Sequence, residues 1–107
     1  MIIELDSLII FLQKNVRKIK EIIVPYSNLE IYLFGSILKK HSPNDIDLLV
    51  IYDDPSLIDE MIVFKRQLEK KFNEFFFIKL HISMATKFEI DEINFLKKIN
   101  YYLKIEL

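Results

Sequence analysis

Apolar residues recur every three or four positions along the first quarter of the chain, at Leu8, Leu12, Val16, Ile19 and Ile23. This spacing predicts an amphipathic helix over residues 6–23, with Asp6 as its N-cap and Pro25 as its stop. Leu29 to Phe34 (LEIYLF) predicts a strand that ends at Gly35, and Ser42-Pro43-Asn44 marks a turn. Asp45 to Tyr52 (DIDLLVIY) predicts a second strand, apolar on both faces from Leu48 onward, as in a central strand covered on two sides. Pro55-Ser56 opens a second helix running to about Phe72, with Leu57, Met61, Phe64, Leu68 and Phe72 as its buried stripe. Phe75 to Ser83 (FFFIKLHIS) has the aromatic and β-branched content of a third strand. Thr86-Lys87-Phe88-Glu89 has the form of a capping box and predicts a third helix to about Ile99. In the tail, Tyr101, Leu103, Ile105 and Leu107 alternate with Tyr102, Lys104 and Glu106, the period of a short strand. The order α-β-β-α-β-α-β predicts an α/β (α+β) fold, a mixed sheet of three to four strands packed with about three helices.

Composition narrows the function classes. At 107 residues, 51% of them hydrophobic, the chain has the length of one domain, expected to span residues 1–107. Fifteen basic against sixteen acidic residues give a formal charge of −1, which argues against a broad electrostatic grip on nucleic acid or anionic lipid. The absence of cysteine excludes disulfides, thiolate nucleophiles and cysteine-bound zinc. No apolar run approaches the ~20 residues that span a bilayer. Glu4 and Asp6 stand where a signal peptide carries positive charge, so the expectation is a cytoplasmic protein. Average usage would give roughly seven glycines in this length. There is one, Gly35, between an apolar run and a serine.

That position adjoins the chain's candidate chemistry. Asp45 and Asp47 alternate with Ile46 on the second strand, so they should project from one face about 6.5–7 Å apart. Two carboxylates that close repel unless a cation sits between them. Oxygen-only donors suit Mg²⁺, which takes its remaining ligands from water and substrate phosphates. A pair of such ions about 3.5–4 Å apart would clamp the attacking and leaving oxygens of a phosphoryl or nucleotidyl transfer. Gly35-Ser36 supplies the complementary half, because glycine permits a sharp turn and a close approach of the backbone to a ligand. If Ile37 to His41 form a helical turn, the amides around Ser36 face the phosphates, and Lys39 or Lys40 adds charge. Either pair alone is ordinary turn chemistry; their conjunction between two apolar strands is what points to a site. Asp53-Asp54 is assigned to the turn into the second helix, and Glu89, Asp91 and Glu92 to a helical first turn, where acids suit the helix dipole.

The segments LFGS and NDIDLLVIY resemble the signature of the DNA polymerase β-like nucleotidyltransferase superfamily, and in so short a chain they are most similar to the minimal nucleotidyltransferase (MNT) group. Members of that group are often encoded beside a HEPN-domain partner as toxin–antitoxin pairs. The resemblance covers Ile31 to Tyr52. It implies that Gly35 and Ser36 hold a nucleoside triphosphate, ATP or another NTP, and that Asp45 and Asp47 bind Mg²⁺ and are catalytic. It further implies transfer of a nucleoside monophosphate to a hydroxyl, with a HEPN-type toxin as the expected acceptor and partner, in a homo- or hetero-oligomer. Two departures stand out. The spacer from Ile37 to Asn44 is short, at eight residues. Family members that catalyse usually carry a third carboxylate on the next strand, whereas FFFIKLHIS has none and places Lys79 at the aligned position. Lys79 becomes a candidate phosphate ligand, and His81, on the same face, a candidate base or metal ligand. The alternative is a nucleotidyltransferase-fold module that neutralises its partner by binding alone.

Overall fold

The computed structural model describes residues 3–38, 45–93 and 102–107; of Ser36, Asp45 and residues 91–93 it describes the backbone. Helix α1 spans Leu5–Ile23 and strand β1 Leu29–Phe34, followed by a 3₁₀ turn at Ser36–Leu38. Strand β2 is Asp45–Tyr52, and a second 3₁₀ turn, Pro55–Leu57, leads into helix α2 at Ile58–Phe76. Strand β3 (Lys79–Thr86), helix α3 (Lys87–Ile93) and strand β4 (Tyr102–Ile105) complete the order. The expected α+β architecture is present, with three helices and a four-stranded sheet in the order β3-β2-β1-β4 among the described residues.

β1 pairs antiparallel with both β2 and β4, while β2 and β3 run parallel. A parallel pair needs a long crossover, and α2 is that crossover. One face of the sheet is covered by α1 and α2. Leu8, Leu12, Val16 and Ile19 of α1 and Met61, Phe64, Leu68 and Phe72 of α2 pack there on Ile31, Leu33, Ile46, Leu48, Val50, Leu80 and Ile82. The opposite face has a smaller cluster of Tyr32, Leu49, Ile51 and Ala85 beneath Ile90 of α3. Among the described residues, no helix is long and apolar enough to cross a membrane.

Local differences from the sequence expectations have physical causes. α1 starts at Leu5, after Glu4, which makes no side-chain cap; Asp6 lies inside the first turn, where its charge suits the helix dipole. α2 runs to Phe76 and β3 begins only at Lys79, so Phe75–Phe77 is not strand. Phe76 continues the α2 stripe four residues after Phe72 and is buried, and this packing overrides the strand propensity of the aromatic run. Phe77 ends the helix in the left-handed region at φ 60°, its N–H donating to the Asn73 carbonyl at 2.9 Å. Phe75 and Phe77 are left exposed.

The capping box is formed as expected: the Thr86 N–H and hydroxyl donate to Glu89 Oε1 (3.0 and 2.9 Å), and the Glu89 N–H donates to Thr86 Oγ1 (3.1 Å). These bonds from Thr86 hold the Glu89 carboxyl below its ordinary range. The expected continuation of this helix to Ile99 lies outside the described residues. In β4 the tail's alternation holds for Leu103 and Ile105 against Tyr102 and Lys104, but Leu107 lies past the strand and is exposed. Tyr101 is outside the described residues.

Candidate active site

The turn after β1 is built around Gly35, which adopts φ +90°, a conformation that side-chain-bearing residues rarely tolerate. Its carbonyl accepts a hydrogen bond from the Leu38 N–H at 3.2 Å, closing the 3₁₀ turn that Ser36 begins. Buried Ile37 anchors the turn in the core. The helical turn expected over Ile37 to His41 is thus a 3₁₀ turn of three residues, Ser36–Leu38, as far as the described residues go. Lys39, Lys40 and His41 lie outside them.

A second constraint on Gly35 comes from β2. A Cβ built on Gly35 would collide with Oδ2 of Asp47 and lie 3.2 Å from its Cγ. The backbone of the Gly-Ser turn and the carboxylate of the Asp-x-Asp pair are therefore in contact. The β1–β2 register, which sets Phe34 opposite Asp47, brings them together.

On the other side of β2 the parallel register sets Lys79 beside Asp45 and His81 beside Asp47. Alternation explains the orientation of this group. Ile46 and Leu48 flank Asp47, Leu80 and Ile82 flank His81, and all four are buried in the helix-side core. Asp47 and His81 therefore face the other side of the sheet, where Lys79, His81 and Ser83 are exposed. The structure brings together the positions of Gly35, Ser36, Asp45, Asp47, Lys79 and His81 at one end of β2.

Asp53 is at the opposite end of β2 and belongs to another arrangement. It accepts from the Ser27 hydroxyl at 3.0 Å and from the N–H and side-chain amide of Asn28 at 3.4 Å each. Burial pushes its carboxyl up, but these hydrogen bonds outweigh that and leave it below the ordinary carboxylate range. Asp54 caps the second 3₁₀ turn, accepting from the Ser56 N–H at 2.9 Å. The assignment of both residues to the turn before α2 holds.

Sequence reasoning missed the aromatic border of the site. Phe34 is paired in register with both Asp47 and Tyr102, and Tyr102 meets Tyr32 edge-on, with ring centroids 5.5 Å apart. Burial, then the neighbouring Glu30, raise the Tyr32 phenol above its ordinary value; its hydroxyl donates to Glu30 Oε2 at 3.3 Å. Alternation in LEIYLF could have put Tyr32 and Phe34 on one face, but only the strand order places Tyr102 beside them.

Comparison with known proteins agrees with this fold. A crystal structure described as that of a "putative nucleotidyltransferase" superposes with a TM-score of 0.56 at 22% identity, covering 88% of this chain and 97% of the other; at that identity the likeness is one of fold. No curated protein matches the chain. The sequence model of the family "Polymerase beta, Nucleotidyltransferase" matches residues 17–105, a span that includes every strand and the Gly-Ser and Asp-x-Asp pairs, and the chain belongs to that family.

Proposed function

We propose that the chain transfers a nucleoside monophosphate from Mg-ATP, or another NTP, to a hydroxyl of a partner protein, as the MNT antitoxin of a HEPN/MNT toxin–antitoxin pair. The observation that carries this is the contact between Gly35 and Asp47, because it joins the turn suited to phosphates to the carboxylate suited to a metal. The donors fit Mg²⁺: Asp47 offers hard oxygens on the face of the sheet opposite α1 and α2, with Asp45 two residues before it on the same strand. When bound, Mg²⁺ would neutralise the triphosphate and the charge that develops on the leaving group.

The residues of the chain orient the reactants. The Gly35-Ser36 turn admits the triphosphate to close backbone approach, and Asp45 and Asp47 would hold the cation that offsets its charge. The acceptor oxygen bonds to the α-phosphorus, the bond from that phosphorus to the bridging oxygen breaks, and pyrophosphate leaves as the hydroxyl proton is released. Lys79, exposed at the end of β3, is placed to attract a phosphate oxygen.

A second function, binding without chemistry, is favoured by the same lysine, since an ammonium beside Asp45 opposes a second metal. Thermal shift separates the two. Transfer chemistry predicts small shifts with Mg²⁺ or ATP alone and a clear shift with both, because triphosphate oxygens complete a metal site that two aspartates leave open. Equal shifts for ATP with and without Mg²⁺ would refute a metal–nucleotide site. Labelled ATP incubated with the HEPN-type gene product then reads transfer directly, and Asp45→Asn with Asp47→Asn should abolish it.

A further inference from the structure

We infer that His81 gives a nitrogen ligand to the cation held at Asp47, so that the site prefers Mn²⁺ to Mg²⁺. This rests on the proposed metal–triphosphate site and adds to it a residue and a metal preference.

His81 and Asp47 are abreast in a parallel pair, where neighbouring strands lie about 4.8 Å apart and abreast residues project from the same side. That side is fixed by packing, because the residues flanking both are sunk in the core beneath α1 and α2. His81 is also exposed at the surface of that side. The carboxylate and the imidazole can therefore converge on one ion above the sheet.

The donor set decides which ion. Mg²⁺ asks for oxygen ligands in strict octahedral geometry and gives up water reluctantly, so an imidazole adds little to its binding. Mn²⁺ accepts the same carboxylates and phosphates and binds nitrogen more readily, as the later first-row metals do increasingly. Lys79 reinforces the asymmetry. It stands beside Asp45, so positive charge already occupies that end of the site, and the cation belongs at the Asp47–His81 end.

The test uses Mn²⁺ with inorganic tripolyphosphate, which mimics the triphosphate but contains no nitrogen. Electron spin-echo modulation from ¹⁴N should appear with the unaltered protein and vanish in His81→Gln and His81→Asp. Titration should show Mn²⁺ affinity falling about tenfold or more in His81→Gln, since even outer-shell partners of metals are worth that much. Mg²⁺ affinity should change far less, and His81→Asp should shift the preference toward Mg²⁺. Melting curves of the variants check that the fold is intact. No ¹⁴N signal in the unaltered protein, or unchanged Mn²⁺ affinity in His81→Gln, would overturn the inference. If Asp47→Asn abolishes Mn²⁺ binding while His81→Gln does not, only the role of His81 falls. If Asp47→Asn leaves binding intact, the metal–triphosphate site falls with it.

Discussion

Replacing Gly35 with alanine tests the link on which the site depends. Two separate costs are expected. At φ +90° an L-residue strains its backbone by about 1–2 kcal/mol. The new methyl must also displace the Asp47 carboxylate, and overpacking of this kind costs about 1–3 kcal/mol. Gly35→Ala should therefore lose about 2–5 kcal/mol, enough to lower the melting temperature by about 10 °C or more in a domain of this size. The two costs are separable in a double-mutant cycle. In an Asp47→Ala background Cγ and Oδ2 are gone, and the nearest atom left to the added methyl is Cβ at 3.4 Å, an ordinary contact. Only the backbone strain remains, so Gly35→Ala should cost at least about 1 kcal/mol less there. Urea denaturation of the four proteins measures it. An equal cost in both backgrounds would mean that Gly35 and Asp47 are not in contact and that the turn is shaped by its own backbone alone. Displacing the carboxylate should also weaken binding of metal with triphosphate in Gly35→Ala, a loss that strain confined to the turn would not produce.

Two further perturbations reach opposite ends of β2. Asp53→Ala strands the buried Ser27 hydroxyl and should cost about 1–3 kcal/mol at neutral pH. Because the folded Asp53 carboxyl lies below its ordinary range, its contribution is present above about pH 4 and lost as pH falls through the lowered folded value. Urea midpoints should therefore fall more steeply on acidification in the parent than in Asp53→Ala, and parallel curves would refute this. Lys79→Asp puts a carboxylate beside Asp45 and should raise Mg²⁺ affinity in the presence of tripolyphosphate, measured by calorimetry. An unchanged affinity would remove Lys79 from the site.

Where the chain punctuates itself, its elements were legible. β1 and β2 match their expected limits, since Gly35, Ser42-Pro43-Asn44 and Asp53-Asp54 bound two strongly apolar runs. The capping box at Thr86 was legible because its spacing is itself the hydrogen-bond pattern. The failure at Phe75–Phe77 is instructive: three aromatics in a row satisfy strand propensity, yet the fourfold spacing from Phe64 through Leu68 and Phe72 to Phe76 extends the helix. That shift matters for the site. Gly35, Ser36, Asp45 and Asp47 were legible as residues, but the neighbours of the aspartates depend on where β3 begins and how it is paired. Lys79 beside Asp45 and His81 beside Asp47 are facts of register, which no local pattern encodes. The contact of Gly35 with Asp47 is likewise a product of strand pairing, although the conformational need for glycine was visible in its being the only one.

Residues 46–51 of β2 write stability and chemistry in alternate positions. Ile46, Leu48 and Val50 are fully buried against α1 and α2, while Asp47, Leu49 and Ile51 face the other side, the last two beneath α3. A slip of one residue in pairing would drive Asp47 into an apolar core and expose Ile46 and Leu48. Burial of three aliphatic side chains at about 1.5–3 kcal/mol each opposes that slip. The isoleucine between the aspartates is thus part of the site although it touches no ligand. Its burial fixes the strand's register and holds Asp47 against Gly35 and beside His81. An Asp-x-Asp with a polar residue at its centre would keep the carboxylates but lose the anchor that aims them.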